Sequence, residues 1–81
     1  MSYGYSKRVV ELNNNADDQL IGVRLGRACI ECDVPVLRVA MALGVSRQTV
    51  YNWFCGVNAP RASQNEDIES FIRTIQISAN C

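Results

Sequence analysis

Apolar residues recur three and four positions apart along most of this chain, which is the spacing of amphipathic α-helices with one buried face. The pattern predicts four helices, at about residues 17–31, 35–43, 47–54 and 64–77. Their apolar faces consist of Ile21, Leu25, Ala28 and Cys32 in the first helix, Val36, Val39, Ala40 and Leu43 in the second, Val50, Trp53 and Phe54 in the third, and Ile68, Phe71, Ile72 and Ile75 in the last. The sequence therefore predicts an all-α fold.

Residues with known preferences for helix ends support these boundaries. Asn15 and Ser46 suit N-caps, because their side-chain oxygens accept hydrogen bonds from the free N–H groups of a first turn. Pro35 suits a first helical turn, where its missing N–H costs nothing. Gly44 suits a left-handed C-cap, and residues 63–66 (SQNE) match a capping box before the last helix.

The first 14 residues are polar, and their few apolar positions leave two structures open. Val9, Val10 and Leu12 suit either a short strand or an arm packed on the body. We divide the chain into an N-terminal arm at residues 1–14 and a helical domain at residues 15–78. The expected fold is a compact domain of four to five helices with a short N-terminal arm or strand.

The composition fits one globular domain. The chain has 81 residues, of which 48% are hydrophobic and 20% are charged. Its longest strictly apolar run, residues 39–43, is far shorter than the ~20 residues that span a bilayer. The N-terminus shows no apolar core or cleavage site of an export signal. We therefore expect a cytoplasmic protein with no membrane association.

The charges cancel overall but differ between two regions. Residues 1–61 carry seven basic and five acidic side chains, a balance of +2, whereas residues 62–81 carry one basic and three acidic side chains, a balance of −2. The chain has no histidine, which removes histidine-based catalysis and metal ligation. It also lacks an identifiable nucleophile with a partner base and a phosphate-binding glycine loop. We expect no enzymatic activity, no cofactor and no metal.

Four cysteines include one C-x-x-C pair, Cys29 and Cys32. Zinc sites need a second close pair, but Cys55 and Cys81 lie 26 residues apart. Without an export signal we expect reduced thiols. Cys29 and Cys32 share one helix face, where cysteine packs as a small hydrophobic residue.

Residues 35–54 combine two short helices with a three-residue turn, which is the arrangement of a helix-turn-helix unit. Ala40 is small where the two helices cross, and Gly44 allows the positive φ that such a turn needs. The polar side chains left outside on the second of these helices are Arg47, Gln48, Tyr51 and Asn52.

Residues 39–50 (VAMALGVSRQTV) and 54–59 (FCGVNA) resemble the lambda-repressor/Cro-like family of helix-turn-helix proteins. In the second stretch an asparagine follows a glycine by two residues, as it does after the recognition helix of lambda-type repressors. The resemblance extends over about residues 16–77. It implies a recognition helix that lies in the DNA major groove, commonly in a two-fold dimer.

The resemblance also implies roles for individual residues. Arg47 and Gln48 match the two groove-facing positions at the start of the recognition helix, where arginine can bond guanine O6 and N7 and glutamine can bond adenine N6 and N7. Asn58 matches the asparagine that clamps DNA beyond this helix. The complete set of expected DNA-binding residues is Arg38, Ser46, Arg47, Gln48, Thr49, Tyr51, Asn52, Asn58 and Arg61.

Other residues depart from this pattern or leave a choice open. Members of the family often carry a glutamine that buttresses the contacts at the first position of helix 2. Val36 stands there in this chain, so that support is missing or is replaced by Arg38. Lys7 and Arg8 suit either a DNA-tracking arm or solubilising charges. Trp53 suits the core better than a stacking platform, and the polar face of the third helix is also typical of an ordinary solvated surface.

The leading hypothesis is a sequence-specific DNA-binding transcriptional regulator, a small phage or bacterial repressor. The alternative is a protein-interaction module of the same fold that acts on a host polymerase, repressor or nuclease. We expect a homodimer, because the apolar face of the last helix exceeds what one small core needs. We expect no small-molecule ligand, because 81 residues leave no separate effector domain. The expected dimer interface consists of Ile68, Phe71, Ile72 and Ile75.

Overall fold

A computed structural model describes residues 5–78, except for the side chain of Ser78. In this range the chain forms five α-helices, one 3₁₀ helix and no β-strand. The α-helices are α1 (Lys7–Asn15), α2 (Ile21–Glu31), α3 (Val36–Leu43), α4 (Arg47–Phe54) and α5 (Asn65–Ser78), and the 3₁₀ helix is Ala62–Gln64. The all-α prediction is confirmed. The Cα radius of gyration is 11.2 Å, close to the ~12 Å of a compact chain of this length.

Helix α2 is the centre of the fold, because α1, α4 and α5 all pack against it, while α3 packs on α4. The core takes most of its buried apolar residues from α2, α3, α4 and α5, and Leu25, Val39, Val50, Phe54 and Ile68 are fully buried. Among the described helices, none has both the length and the apolar character needed to cross a bilayer.

The predicted N-terminal arm or strand is wrong over residues 7–14, which belong to α1. Ser6 caps this helix, since its Oγ accepts a hydrogen bond from the Val9 N–H (3.2 Å). Tyr5 anchors the entry to α1, because its ring is buried and its hydroxyl donates to the Val34 carbonyl. The part of the predicted arm before Tyr5 lies outside the described residues.

Helix α2 begins later than predicted, at Ile21. The Asp17 carboxylate accepts a hydrogen bond from the Gln19 N–H (2.9 Å), which closes a turn between α1 and α2. Asn15 is the last residue of α1 rather than the N-cap of α2. Pro35 is likewise the N-cap of α3 rather than a residue of its first turn.

The start of α5 also differs from the prediction. Ser63 lies inside the 3₁₀ helix, so the Ser63–Glu66 capping box does not form. The Gln64 side chain instead accepts a hydrogen bond from the Arg61 N–H (3.2 Å), while the Gln64 N–H donates to the Arg61 carbonyl. This reciprocal pair closes the 3₁₀ helix that leads from the loop after α4 into α5.

The apolar stripe of α5 is used by the core of the chain itself. Ile68, Ile72 and Ile75 are buried, and Phe71 is half-buried against the same core. The expectation that this stripe exceeds the needs of one core is therefore wrong. These three isoleucines are not a free surface for a partner, and the homodimer remains a prediction.

The cysteines differ in their surroundings. Cys29 is a buried free thiol, and burial raises its pKa to about 12 despite a smaller opposite effect of the Arg38 guanidinium. Cys29 is therefore protonated near neutral pH and is a poor nucleophile. Cys55 is a half-buried free thiol, whereas Cys32 is disulfide-bonded. The expectation of reduced thiols is confirmed at Cys29 and Cys55 and is wrong at Cys32.

Candidate nucleic-acid interface

Helix α4 separates buried and outward side chains along its length. Val50, Trp53 and Phe54 are buried, and Trp53 is only 3% exposed. This confirms Trp53 as a core residue. On the other side, Arg47 and Gln48 are exposed, and Thr49, Tyr51 and Asn52 are half-buried. We call Arg47, Gln48, Tyr51 and Asn52 the α4 polar face, because positions i, i+1, i+4 and i+5 share one side of a helix.

The turn before α4 has the predicted backbone geometry. Gly44 is the left-handed C-cap of α3, with φ of 69°. The Val45 N–H then donates to the Ala40 carbonyl (3.0 Å), which turns the chain back toward α4. Ser46 is the N-cap, since its Oγ accepts from the Thr49 N–H (3.1 Å) and lies 2.9 Å from the Thr49 hydroxyl. Both predicted caps are therefore confirmed.

The cap gives a direct stability test. Ser46→Ala is expected to lower the free energy of unfolding by about 1 kcal/mol, because it leaves a first-turn N–H of α4 without its acceptor. Ser46→Asn is the matched control, because its side-chain oxygen can replace the hydroxyl as the cap. Urea denaturation of the three proteins measures the difference. An equal loss in both variants would contradict the role of Ser46 as a cap.

Two glycines of α2 allow the backbone of α4 to approach closely. A Cβ atom at Gly22 would lie 2.8 Å from the Trp53 Cβ and 2.9 Å from the Trp53 carbonyl oxygen. A Cβ atom at Gly26 would lie 2.7 Å from the Phe54 Cγ. All three distances are shorter than normal contacts between heavy atoms. Gly22 and Gly26 therefore permit a close approach of α2 and α4.

The C-terminal end of α4 is held by a buried polar residue, Asn13 of α1. Its Nδ2 donates to the Phe54 carbonyl (2.7 Å) and to the Val23 carbonyl of α2 (3.1 Å). The last carbonyls of a helix have no partner within the helix, so a donor at this position satisfies one of them. Asn13 therefore links three helices behind the α4 polar face.

An open cleft of about 500 Å³ lies between α4 and the loop that follows it. Thr49 lines one side, and Asn58, Pro60 and Arg61 line the other. The structure thus brings together Thr49, Asn58 and Arg61, which the sequence places up to 12 residues apart. Arg38 does not line this cleft and lies on α3.

The ion pairs leave particular arginines unpaired. Within residues 5–78 the ion pairs are Arg24–Glu69 (2.9 Å), Arg27–Asp18 (3.6 Å) and Lys7–Glu11 (4.0 Å). Five arginines form no ion pair in this part of the chain, namely Arg8, Arg38, Arg47, Arg61 and Arg73. Three of these five belong to the expected DNA-binding set, so their charges are available to an anionic partner.

Arg8 is a basic residue of α1 that interacts electrostatically with a residue beside α4. Its guanidinium is close enough to Cys55, just after α4, to oppose the rise that burial causes in the pKa of that thiol. Arg8 therefore lies on a helix near the end of α4 rather than on an extended arm. The sequence leaves the role of Arg8 open. Arg8 lies beside Cys55 because residues 7–15 fold into α1.

No protein-family model, curated protein or solved structure matches this chain. Roles for its residues therefore rest on their own geometry and chemistry. The α4 polar face, the cleft and the unpaired arginines are the features with the donors and charges to bind an extended anion. Sequence reasoning identified most of these residues but missed Asn13, which supports α4 from behind.

Proposed function

We propose that this protein is a sequence-specific DNA-binding transcriptional regulator that reads the major groove with α4. The observation that carries the proposal is the α4 polar face, which presents Arg47, Gln48 and Asn52 outward from a helix whose other side is buried. The major groove is about 12 Å wide and admits one α-helix. Arginine, glutamine and asparagine are the side chains whose hydrogen-bonding groups best match guanine and adenine edges.

The elements around α4 support the same proposal. Helices α3 and α4 have eight residues each and are joined by residues 44–46, which are the lengths of a helix-turn-helix unit. In that arrangement the first helix crosses the DNA backbone while the second enters the groove. Arg38 on α3 and Arg61 beside α4 are then the candidates for phosphate contacts, with Asn58 and Thr49 as neutral donors in the cleft.

The charge distribution implies that binding depends on few phosphate contacts. The net charge of the chain is zero, and the first turn of α5 adds Glu66 and Asp67. Each phosphate contact releases counterions and steepens the salt dependence, with a slope of about −0.9 per contact. We propose weak non-specific affinity and a shallow salt dependence. Discrimination between sites then relies on base contacts.

The proposal includes binding as a two-fold homodimer, in the cytoplasm, by a small repressor of phage or bacterial type. Dimers of helix-turn-helix proteins read two half-sites about one helical turn apart, which doubles the number of base contacts. Because Ile68, Ile72 and Ile75 belong to the core, the dimer contact must use other residues.

Selection from a random pool of duplex DNA at low salt tests the proposal. We expect the wild-type protein to enrich one motif, and Arg47→Ala to bind that motif about tenfold or more weakly and to lose preference at one base pair. Arg73→Ala is the matched control, since it removes an equally unpaired arginine from the exposed surface of α5. Failure to enrich a motif, or equal losses in both variants, would contradict the proposal.

One observation favours the alternative function, a protein-interaction module. Leu37 and Met41 are 52% and 75% exposed one turn apart on α3, and with Val45 they line a shallow hollow of about 410 Å³. A reporter assay in cells separates the two functions. Loss of regulation in a Leu37→Ser, Met41→Ser variant together with full regulation by an Arg47→Ala, Gln48→Ala variant would favour the interaction module.

A further inference from the structure

Two amide side chains of the α4 polar face form a hydrogen bond with each other. The Gln48 Nε2 donates to the Asn52 Oδ1 at 3.1 Å. The two residues lie four positions apart, so their side chains are neighbours on the helix surface. Gln48 is exposed and Asn52 is half-buried. The Gln48 amide is therefore accessible to a partner while one of its N–H groups is bonded to Asn52.

This hydrogen bond supports the Gln48 side chain, and the first residue of α3 offers it no such support. Val36, at the start of α3, is buried and has no polar side-chain atom. Arg38 is exposed and lies near Cys29 of α2, where it affects the pKa of that thiol. The observed partner of the Gln48 side chain is instead on its own helix, one turn further along.

We infer that Gln48 and Asn52 form one adenine-reading unit, in which Asn52 is a positioning residue for the Gln48 amide. The inference rests on the proposed function. A glutamine amide has two N–H donors and one carbonyl acceptor. With one N–H bonded to Asn52, the free groups of Gln48 are one donor and one acceptor.

That remaining pair of groups matches adenine and not guanine. In the major groove adenine presents the N6 amino donor and the N7 acceptor, whereas guanine presents two acceptors, O6 and N7. The Gln48 Oε1 accepts from adenine N6 and the second Nε2 hydrogen donates to N7. Against guanine the Oε1 would face another acceptor and remain unpaired. In the observed arrangement Asn52 is the acceptor and the Nε2 side of the Gln48 amide faces it, so the second Nε2 hydrogen and the Oε1 remain free for the base edge.

The test uses the motif that the wild-type protein selects from random DNA, with affinities measured for all four base pairs at each position. Gln48→Ala is expected to reduce the preference for adenine at one position about tenfold. Asn52→Ala is expected to reduce the preference at the same position by a factor of about three or more, and the double variant is expected to lose no more than Gln48→Ala alone. Such non-additivity shows that the two residues act as a unit.

Asn52→Asp is the conservative variant. Its carboxylate still accepts from the Gln48 Nε2, so we expect the adenine preference to be retained. Total affinity should fall at low salt, because the new charge lies close to the DNA phosphates. A simple phosphate contact by Asn52 predicts a different result, with equal loss for all four bases in Asn52→Ala.

Three outcomes would overturn the inference. They are an unchanged adenine preference in Asn52→Ala, a changed preference at a different base pair, and additive effects of the two alanine variants. In each case the proposed function stands, because a motif has been selected. If the wild-type protein selects no motif, both the proposed function and this inference fail. Circular dichroism of each variant, compared with wild type, confirms that the loss concerns recognition and not folding.

Discussion

Replacing Gly26 with alanine is expected to lower the free energy of unfolding by about 3 kcal/mol, at the upper end of the usual cost of overpacking a core. The new methyl group would lie 2.7 Å from the Asn13 Nδ2 and 2.7 Å from the Phe54 Cγ. Phe54 is fully buried, so its ring has no open space into which it can move. The variant must therefore separate α2 from α4 or break the Asn13 hydrogen bonds.

The sign of this effect makes the test informative. In a solvated helix, alanine is favoured over glycine by about 1 kcal/mol. A stabilised Gly26→Ala variant would show that α2 and α4 are not in close contact. Ser70→Ala is the control, since Ser70 is exposed on α5 and its replacement tests helix propensity alone. Urea denaturation of the three proteins gives the comparison, and binding of Gly26→Ala to the selected DNA motif shows whether the position of α4 has changed.

The elements that could be predicted from the sequence are those with strong local signals. Gly44 and Ser46 mark the end of α3 and the start of α4 because left-handed backbone and N-capping depend on a few adjacent residues. The apolar period then identified Val50, Trp53 and Phe54 as the buried side of α4, and the outward side followed. The α4 polar face was predictable for this reason.

Features that depend on distant contacts could not be predicted. The run of asparagines at residues 13–15 is typical of a loop. Asn13 is instead buried, and its side chain donates hydrogen bonds to carbonyls of residues 10 and 41 positions away. The Arg24–Glu69 ion pair joins residues 45 apart. The apolar periodicity predicted the apolar stripe of α5. It did not indicate how much of this stripe is needed to bury the apolar surface of α2. Periodicity alone therefore could not show that the core of the chain itself covers this stripe.

Asn13→Asp is expected to lower the free energy of unfolding at pH 7 by about 3 kcal/mol or more, because it leaves buried acceptors without donors and introduces a charge. The substitution keeps the shape of the side chain but replaces the Nδ2 donor by an oxygen. That oxygen would face the Phe54 carbonyl at about 2.7 Å and the Val23 carbonyl at about 3.1 Å, the distances of the present hydrogen bonds. The repulsion acts on the end of α4, so affinity for the selected DNA is expected to fall as well.

The pH dependence distinguishes this cause from simple loss of packing. Burial and the two carbonyls raise the pKa of the introduced carboxyl in the folded state above its usual value of about 3.9. The protonated carboxyl donates one hydrogen bond, so the variant is least destabilised below the usual pKa of about 3.9. It loses stability as the pH rises from there through the raised pKa of the folded state. Asn13→Ala has no group that titrates, so its loss relative to wild type should be the same at pH 4 and pH 7. If the loss in Asn13→Asp is equally independent of pH, the Asn13 side chain acts by filling space and not by donating to the last carbonyl of α4.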